Sequence, residues 1–294
     1  MTGLAANVIE DAFLAACRGE LQALKPGNVH VFAPGHNMDA ALFEASAVAA
    51  APFIAKSGAT LGQRIEGAVM ASLAVANCNT NLGIVLLCAP LAAAAEAGGA
   101  PLRVGLSRVL ESSSLGDARA AYRAIAAANP AGLATAPEAD VTAGAPHITL
   151  LQAMALARDR DSIANAYATD FEEVFGFGLP ALTAARLSAP SPERAVTALH
   201  MALLAEFPDS HIVRKHGARS AGQVQDEAHE LRASFIPSVD DDGFTRLLAF
   251  DASLKTRGLN PGTTADFVVA TLFAETLLRA LMSPKRKRSQ ARKS

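Results

Sequence analysis

The chain has no tryptophan, two tyrosines and three cysteines in 294 residues. Cys17, Cys78 and Cys88 stand far apart. They offer no metal-type spacing and no disulfide framework, which fits a reducing, cytoplasmic setting. Cys17 and Cys88 sit in apolar helical contexts and read as buried thiols. Charge is also scarce: charged residues are 18% and the net charge is −2, so bulk electrostatics predict no nucleic-acid partner. Long apolar runs are missing. The greasiest window, Leu82 to Ala95, is interrupted by Pro90 and is shorter than the roughly 18–20 residues a bilayer span needs, so it reads as a core helix and no membrane partner is expected. Glu10 and Asp11 fall where a secretory leader would be apolar. The sequence carries no Gly-rich phosphate loop, no His-Glu-x-x-His, no Cys-x-x-Cys and no Gly-x-Ser-x-Gly, which removes the commonest nucleotide-loop, zinc and serine-hydrolase readings.

What is present is helix. Hydrophobic residues make up 51% of the chain, enough for a sizeable core. Alternation with period two is absent. Thr60-Leu61-Gly62-Gln63 has the form of a capping box, and Ser191-Pro192-Glu193 places an N-cap, an N1 proline and an early acid before Ala195 to Phe207. Ser114 starts a helix running to Ala128. Further helices are expected near Ala5–Leu24, Asp39–Phe53, Asn81–Glu96, Ile148–Ala157, Asp159–Val174, Ser220–Ser234, Asp241–Arg257 and Thr263–Met282. The stretch Asn129 to His147 reads as a long mid-chain loop. The expected architecture is all-α: a single multi-helix domain over residues 1–282, a polar site between helices, and a basic disordered tail over 283–294. An alanine-rich helical surface makes a homodimer plausible.

Polar residues are concentrated in six islands at helix boundaries. The densest is Pro208 to Gly217, where Asp209, Ser210, His211, Arg214, Lys215 and His216 follow a greasy helix. So many ionisable groups between apolar helices cost desolvation unless they are paired, hold an ion or face a charged ligand. Arg214 can fork onto a phosphate and Lys215 adds a point charge; Asp209 suits a metal ligand or general base, and His211 a proton carrier. A second island joins Glu20 to Lys25, Asn28 and His30 around Pro26-Gly27. It reads either as a platform for phosphate or sugar or as a helix end with a dipole-complementing lysine. In the third, Pro34 to Asp39, Asn37 or Asp39 caps the next helix or Asp39 holds Mg²⁺. In the fourth, Asn79, Thr80 and Asn81 supply more hydrogen-bonding groups than one N-cap needs, and Gly83 permits close approach. The fifth, Arg158 to Asp161 with Asn165 and Tyr167, reads first as a solvated charged face, with Asp161 and Asn165 sharing one side of a helix. The sixth runs from Asn260 to Asp266; Thr263 and Asp266 form a capping-box pattern, or Gly262 and Thr263 cradle a phosphate with Asp266 on a metal. Together the islands suggest a Mg-polyphosphate ligand, because phosphoryl and nucleotide-glycosyl transfers depend on positioning and charge neutralisation.

The order of these islands resembles the triphosphoribosyl-dephospho-CoA synthase family, from about Glu20 to Leu278. The elements that carry the resemblance are Lys25-Pro26-Gly27, the Asp39 region with Phe43 and Ser46, Asn79-Thr80 with Gly83, the loop Asn129 to Val141, Asp209 before Arg214, and Pro261-Gly262 with Ala265-Asp266. The resemblance implies a mostly helical cytoplasmic transferase of prosthetic-group biosynthesis. A 2′-hydroxyl of dephospho-CoA attacks C1′ of the ATP ribose and adenine leaves. It implies Mg²⁺, Lys25, Arg214 and Lys215 on the triphosphate; the islands themselves, apart from the resemblance, offer Asn28, Asn81, Gly262 and Thr263 as further nucleotide contacts. The resemblance has Asn79 and Thr80 orient the nucleoside and Asp39 or Asp209 take the hydroxyl proton, while the islands offer Asp39, Asp209 and Asp266 as metal ligands. The chain departs from the family where Asn81-Leu82 replaces a His-Lys pair, where Gly262-Thr263-Thr264 is less glycine-rich, and where Asn28 and His30 follow Lys-Pro-Gly. A related nucleotide or phosphoribosyl transferase in another cofactor pathway, such as one-carbon cofactor synthesis, and a non-catalytic nucleotide-binding protein are the alternative readings.

Overall fold

The computed structural model describes residues 2–32, 40–128, 147–233 and 239–283. Helices α1 (Ala6–Gln22), α2 (Ala40–Ile54), α3 (Leu61–Ala76), α4 (Leu82–Ala97), α5 (Leu102–Glu111) and α6 (Leu115–Ala128) form the first half. The second half holds α7 (Leu150–Ala157), α8 (Ser162–Ala168), a π-helical turn (Glu173–Gly178), α9 (Leu179–Ser188), α10 (Pro192–Glu206), α11 (Ser210–His216), α12 (Ala218–Ala233), α13 (Asp241–Thr256) and α14 (Gly262–Met282). There is no strand among the described residues, so the all-α expectation holds. Of the expected features, Asp39, residues 129–146 of the mid-chain loop, and tail residues 284–294 lie outside the described residues.

Local chemistry sets the helix starts. The Thr60 hydroxyl accepts the Gln63 N–H while the Gln63 side chain accepts the Thr60 N–H, closing the expected capping box on α3. Thr149 and Gln152 do the same for α7. Ser191 caps α10 by accepting from Arg194 N at 3.3 Å, with Pro192 at the first helical position. Ser114 and Asp117 bond reciprocally at the start of α6.

Three expected boundaries are corrected. The segment after Asp209 is a helix, α11, because Asp209 caps its start and Gly217 ends it at φ 84°. The single helix expected over 159–174 is divided: α8 stops at Ala168, and Asp170 and Phe171 take positive φ before the π-helical turn begins. Helices α5 and α9 were not anticipated at all.

The α4 and α14 helices form the centre. Leu82 to Ala95 is buried almost throughout, as its composition predicts, and α14 packs against α1, α4, α9, α10 and α11. Phe13 of α1 meets Phe273 of α14 edge-on at 5.9 Å. Burying such a ring contributes about 2–3 kcal/mol. Cys17 and Cys88 are buried as expected. A second, smaller core joins α10 to α11, α12 and α13 through Met201, Leu204, Ile212, Val224, Leu247 and Leu254. Helix α10 serves both cores, since its Val196, Leu199 and Leu203 belong to the larger one. No single helix among the described residues is long and apolar enough to cross a membrane.

Candidate active site

A cleft of about 250 Å³ opens at the seam between the two cores. One wall is polar and is made where α11 and α14 begin. Asp209 is buried and serves both helices: its Oδ1 accepts from Ile212 N at 3.0 Å, and its Oδ2 accepts from Thr264 N at 2.7 Å and Thr264 Oγ1 at 2.8 Å. One carboxylate thus caps its own helix and the start of a helix 55 residues away. The capping box expected between Thr263 and Asp266 is not formed, since Pro261 is the N-cap of α14 and Asp209 supplies the side-chain acceptor. Thr263 is bound to Ser210, hydroxyl to hydroxyl, at 3.0 Å. The apolar part of the lining is Leu203, Phe207, Val213 and Phe267, the last two one turn further along α11 and α14.

The rim comes from the segment before α8. Arg158, Asp159 and Arg160 are exposed, as the charge alternation predicted. Asp161 is different. Its Oδ1 caps α8 through Ile163 N and Ala164 N, and its Oδ2 accepts from the Arg214 guanidinium. Arg214 also donates to Ser210 Oγ at 3.4 Å, which holds the guanidinium beside the mouth of the cleft. Asn165, one turn on from Asp161, donates its amide to Glu173 Oε1 at 2.6 Å. Glu173 lines the cleft and went unnoticed in the sequence.

Asp266 lies on the next turn of α14, against the start of α4. A Cβ on Gly83 would fall 2.0 Å from Asp266 Oδ2, so only glycine admits the carboxyl there. Burial raises the Asp266 pKa far above the usual carboxylate range, and the charges of Asp209 and Glu20 push it further. Burial raises Asp209 as well, against the pull of its own hydrogen bonds.

The other expected residues lie apart from this cleft. Asn79 Oδ1 accepts from Leu82 N at 3.2 Å, and Asn81 donates to Ser72 Oγ at 2.9 Å, tying α4 to α3. Thr80 is buried, and its hydroxyl has no hydrogen-bond partner among the described residues. His211 packs against Gly262, where a Cβ would meet its ring at 3.4 Å. Lys215 is exposed on α11.

Lys25, Asn28 and His30 do not project from their loop, and the expectation of a phosphate platform there is corrected on that point. Lys25 has 0% exposure, and its ammonium donates to Glu20 Oε1 and to the Val29 carbonyl. Asn28 binds Asn260 at 2.8 Å. His30 Nε2 stands 3.2 Å from Asp251, whose other oxygen accepts from Lys255 at 2.9 Å. Gly27, at φ 81°, donates to Asp251 and leaves no room for a Cβ beside Pro261 and Leu259. Burial pushes the Glu20 carboxyl up and the Lys25 ammonium down, moving the pair toward a shared proton.

The fold is an all-helical one, with a cleft that combines two helix starts and apolar side chains, and with a guanidinium bound to Asp161 and Ser210 of its lining. The family model "CitG: ATP:dephospho-CoA triphosphoribosyl transferase" matches residues 6–285, and the chain belongs to that family. It is a pentosyltransferase of the triphosphoribosyl-dephospho-CoA synthase type, at work in cofactor biosynthesis, and the match favours neither a different nucleotide transferase nor a non-catalytic binder. A crystal structure of a protein from Archaeoglobus fulgidus assigned as a triphosphoribosyl-dephospho-CoA synthase superposes with a TM-score of 0.61 at 22% identity, covering 78% of this chain and 96% of that one. It has the same fold. No curated protein matches.

Proposed function

We propose that the cleft between α8, α11 and α14 binds ATP and hands its ribosyl-triphosphate to the 2′-hydroxyl of dephospho-CoA, with release of adenine. The observation that carries this reading is the shared start of α11 and α14. It sets Asp209, Ser210, Thr263 and the start of α14 near Arg214, with Leu203, Phe207, Val213 and Phe267 as the apolar remainder of the lining. The polar wall suits the triphosphate: a helix N-terminus and a guanidinium favour phosphate oxygens. In this reading Thr263 of the lining, with Gly262 and Arg214 next to it, contacts the triphosphate, and Lys215 adds charge from outside. The apolar wall suits the base.

Asp209 spends three acceptor positions on holding the helices together. That suits a positioning role rather than the base role expected for it. Mg²⁺ fits as a cation carried in with the triphosphate. Among the described residues no three acidic, histidine or cysteine side chains group around one point. Mg²⁺ characteristically takes one or two carboxylates plus substrate phosphates and water, and Asp266, with Asp209 close enough to raise it, is the carboxylate that would serve. When bound, the cation neutralises charge on the triphosphate. Residues 1–282 act as one helical domain in this reading, with the basic tail over 283–294 as an appendage. A cytoplasmic homodimer is the working form, supported by exposed Val48, Phe53, Met70 and Val75 on α2 and α3.

The test is product analysis of purified protein with Mg-ATP, with and without dephospho-CoA. Free adenine only when dephospho-CoA is present is the expected result. Adenine in both tubes would replace transfer with hydrolysis, and adenine in neither would reject the donor–acceptor pair.

A further inference from the structure

Breaking the C1′–N9 bond leaves an electron pair on adenine, and a neutral base departs far more readily once one of its nitrogens is protonated. The polar wall of the cleft is built of hydrogen-bond acceptors and donors that are already engaged with one another. Glu173 is different. It lines the cleft, is only 6% exposed, and starts the π-helical turn Glu173–Gly178, a local winding that recurs at functional positions. Asn165 fixes its Oε1 at 2.6 Å, while its Oε2 has no hydrogen-bond partner among the described residues. A buried carboxyl with one oxygen anchored and the other unused is costly unless a ligand completes it. Burial raises its pKa above the ordinary carboxylate value, against the pull of its hydrogen bonds to the backbone and to Asn165.

We propose that Glu173 protonates the departing adenine, with Asn165 as its positioning residue. This inference rests on the triphosphoribosyl-transfer reading. The proton of the Glu173 carboxyl passes to a ring nitrogen of adenine as C1′–N9 breaks and the bonding pair stays with the base. A lone pair of the acceptor oxygen forms the C1′–O bond. The acceptor hydroxyl proton goes to solvent, from which the Glu173 carboxylate is recharged. The net change is one proton moved from hydroxyl to adenine, with no oxidant or reductant. The apolar residues beside Glu173, Phe207 and Phe267, form the surface against which the base lies.

The experiment compares wild type and Glu173→Gln on two donors, ATP and ATP methylated at N7, whose base is already cationic and leaves without an acid. The glutamine keeps the shape and can still accept from Asn165. With ATP the variant is expected to lose about 10²–10⁴-fold in kcat with KM for ATP within about threefold, the scale of a lost general acid. With the N7-methyl donor it is expected to run within a few-fold of wild type. Equal loss on both donors, or no loss on ATP, overturns the assignment. If Glu173→Gln fails to fold, Asn165→Ala provides the same comparison, with a smaller loss on ATP and again none on the methylated donor; equal loss on both contradicts the proposal. Wild-type protein that releases no adenine from either donor would reject the transferase reading itself, a result separate from a normal wild type with an unaffected variant.

Discussion

The loop around Lys25 and the cleft around Asp209 look alike in sequence and differ in what they have left to give. Both combine carboxylates, amides, a histidine and cations at a helix boundary. In the first, the lysine, the asparagine and the aspartate are engaged inside the protein: Lys25 with Glu20, Asn28 with Asn260, Asp251 with His30, Lys255 and Gly27. In the second, the internal bonds of Asp209, Ser210 and Thr263 fix a frame, Arg214 is bound to two residues of the cavity lining, and Glu173 lines the cavity with one carboxyl oxygen unbonded among the described residues. Polar density therefore marks where a chain spends desolvation energy. Spare bonding capacity next to open space separates a site from a rivet.

The largest effect should come from breaking the closed network. Lys25→Met strands Glu20 in the core, and removing one partner of a buried pair costs on the order of 3 kcal/mol. Denaturant melts should show that loss, while ATP binding by the folded protein stays within about twofold of wild type. Lys25→Met combined with Glu20→Leu should recover most of the stability, because the uncompensated charge is gone. A variant that keeps its stability but loses ATP would move the phosphate site to this loop and erase the distinction drawn here.

The next effect is smaller and falls on binding. Arg214→Ala should weaken ATP by about tenfold, roughly 1.4 kcal/mol, measured by titration calorimetry, with little change in melting temperature because its pair with Asp161 is partly solvated. Lys215→Ala, one residue on and exposed, should change affinity by less than about twofold, and that difference should vanish at high salt. Equal effects of the two would mean that charge in bulk matters and that the geometry holding Arg214 does not.

The third is a difference of slope. Burial, helped by the charges of Lys25 and His30, holds the His200 pKa down at about 3, and burial lowers His30 too. The unfolded chain protonates such histidines near pH 6.5, so below that pH it binds more protons than the folded chain. Stability is then lost as pH falls from about 6.5 toward 3. The cleft acids act in the opposite sense. Asp209, Asp266 and Glu173 keep protons longer when folded, so their contribution worsens as pH rises through the carboxylate range. His200→Leu should flatten the acid limb of the stability curve, and Asp266→Asn should raise stability at neutral pH. Melting temperatures of both variants across pH 4–8 would check the signs.

Much of the fold was legible because its helix starts carry their own chemistry. Thr60 with Gln63, Ser114 with Asp117 and Ser191 with Pro192 each announce a first turn that the structure reproduces. The cap at Asp209 and the glycine at 217 announced α11 as well, but its polar composition made it read as a loop. The break after α8 was hidden, since nothing in Asp170 or Phe171 demands a positive φ. In the site, Asp209, Thr263 and Arg214 were found by their density. Glu173 was missed because Glu172-Glu173 reads as two charges on a solvated helix, and only the packing of the π-helical turn buries the second. Lys25 was misplaced for the converse reason: a lysine past a helix end looks solvent-facing, yet this one is buried, with His200 of α10 and Asp251 and Lys255 of α13 near enough for their charges to act on it or feel it.

The claim that the cleft holds the nucleotide is tested most directly by a crystal structure of the protein with Mg-ATP and no acceptor. The account predicts triphosphate density at Gly262, Thr263 and Arg214, with the base between Glu173 and the Phe207–Phe267 wall. Nucleotide density against the Lys25–His30 loop, with the cleft empty, would contradict it.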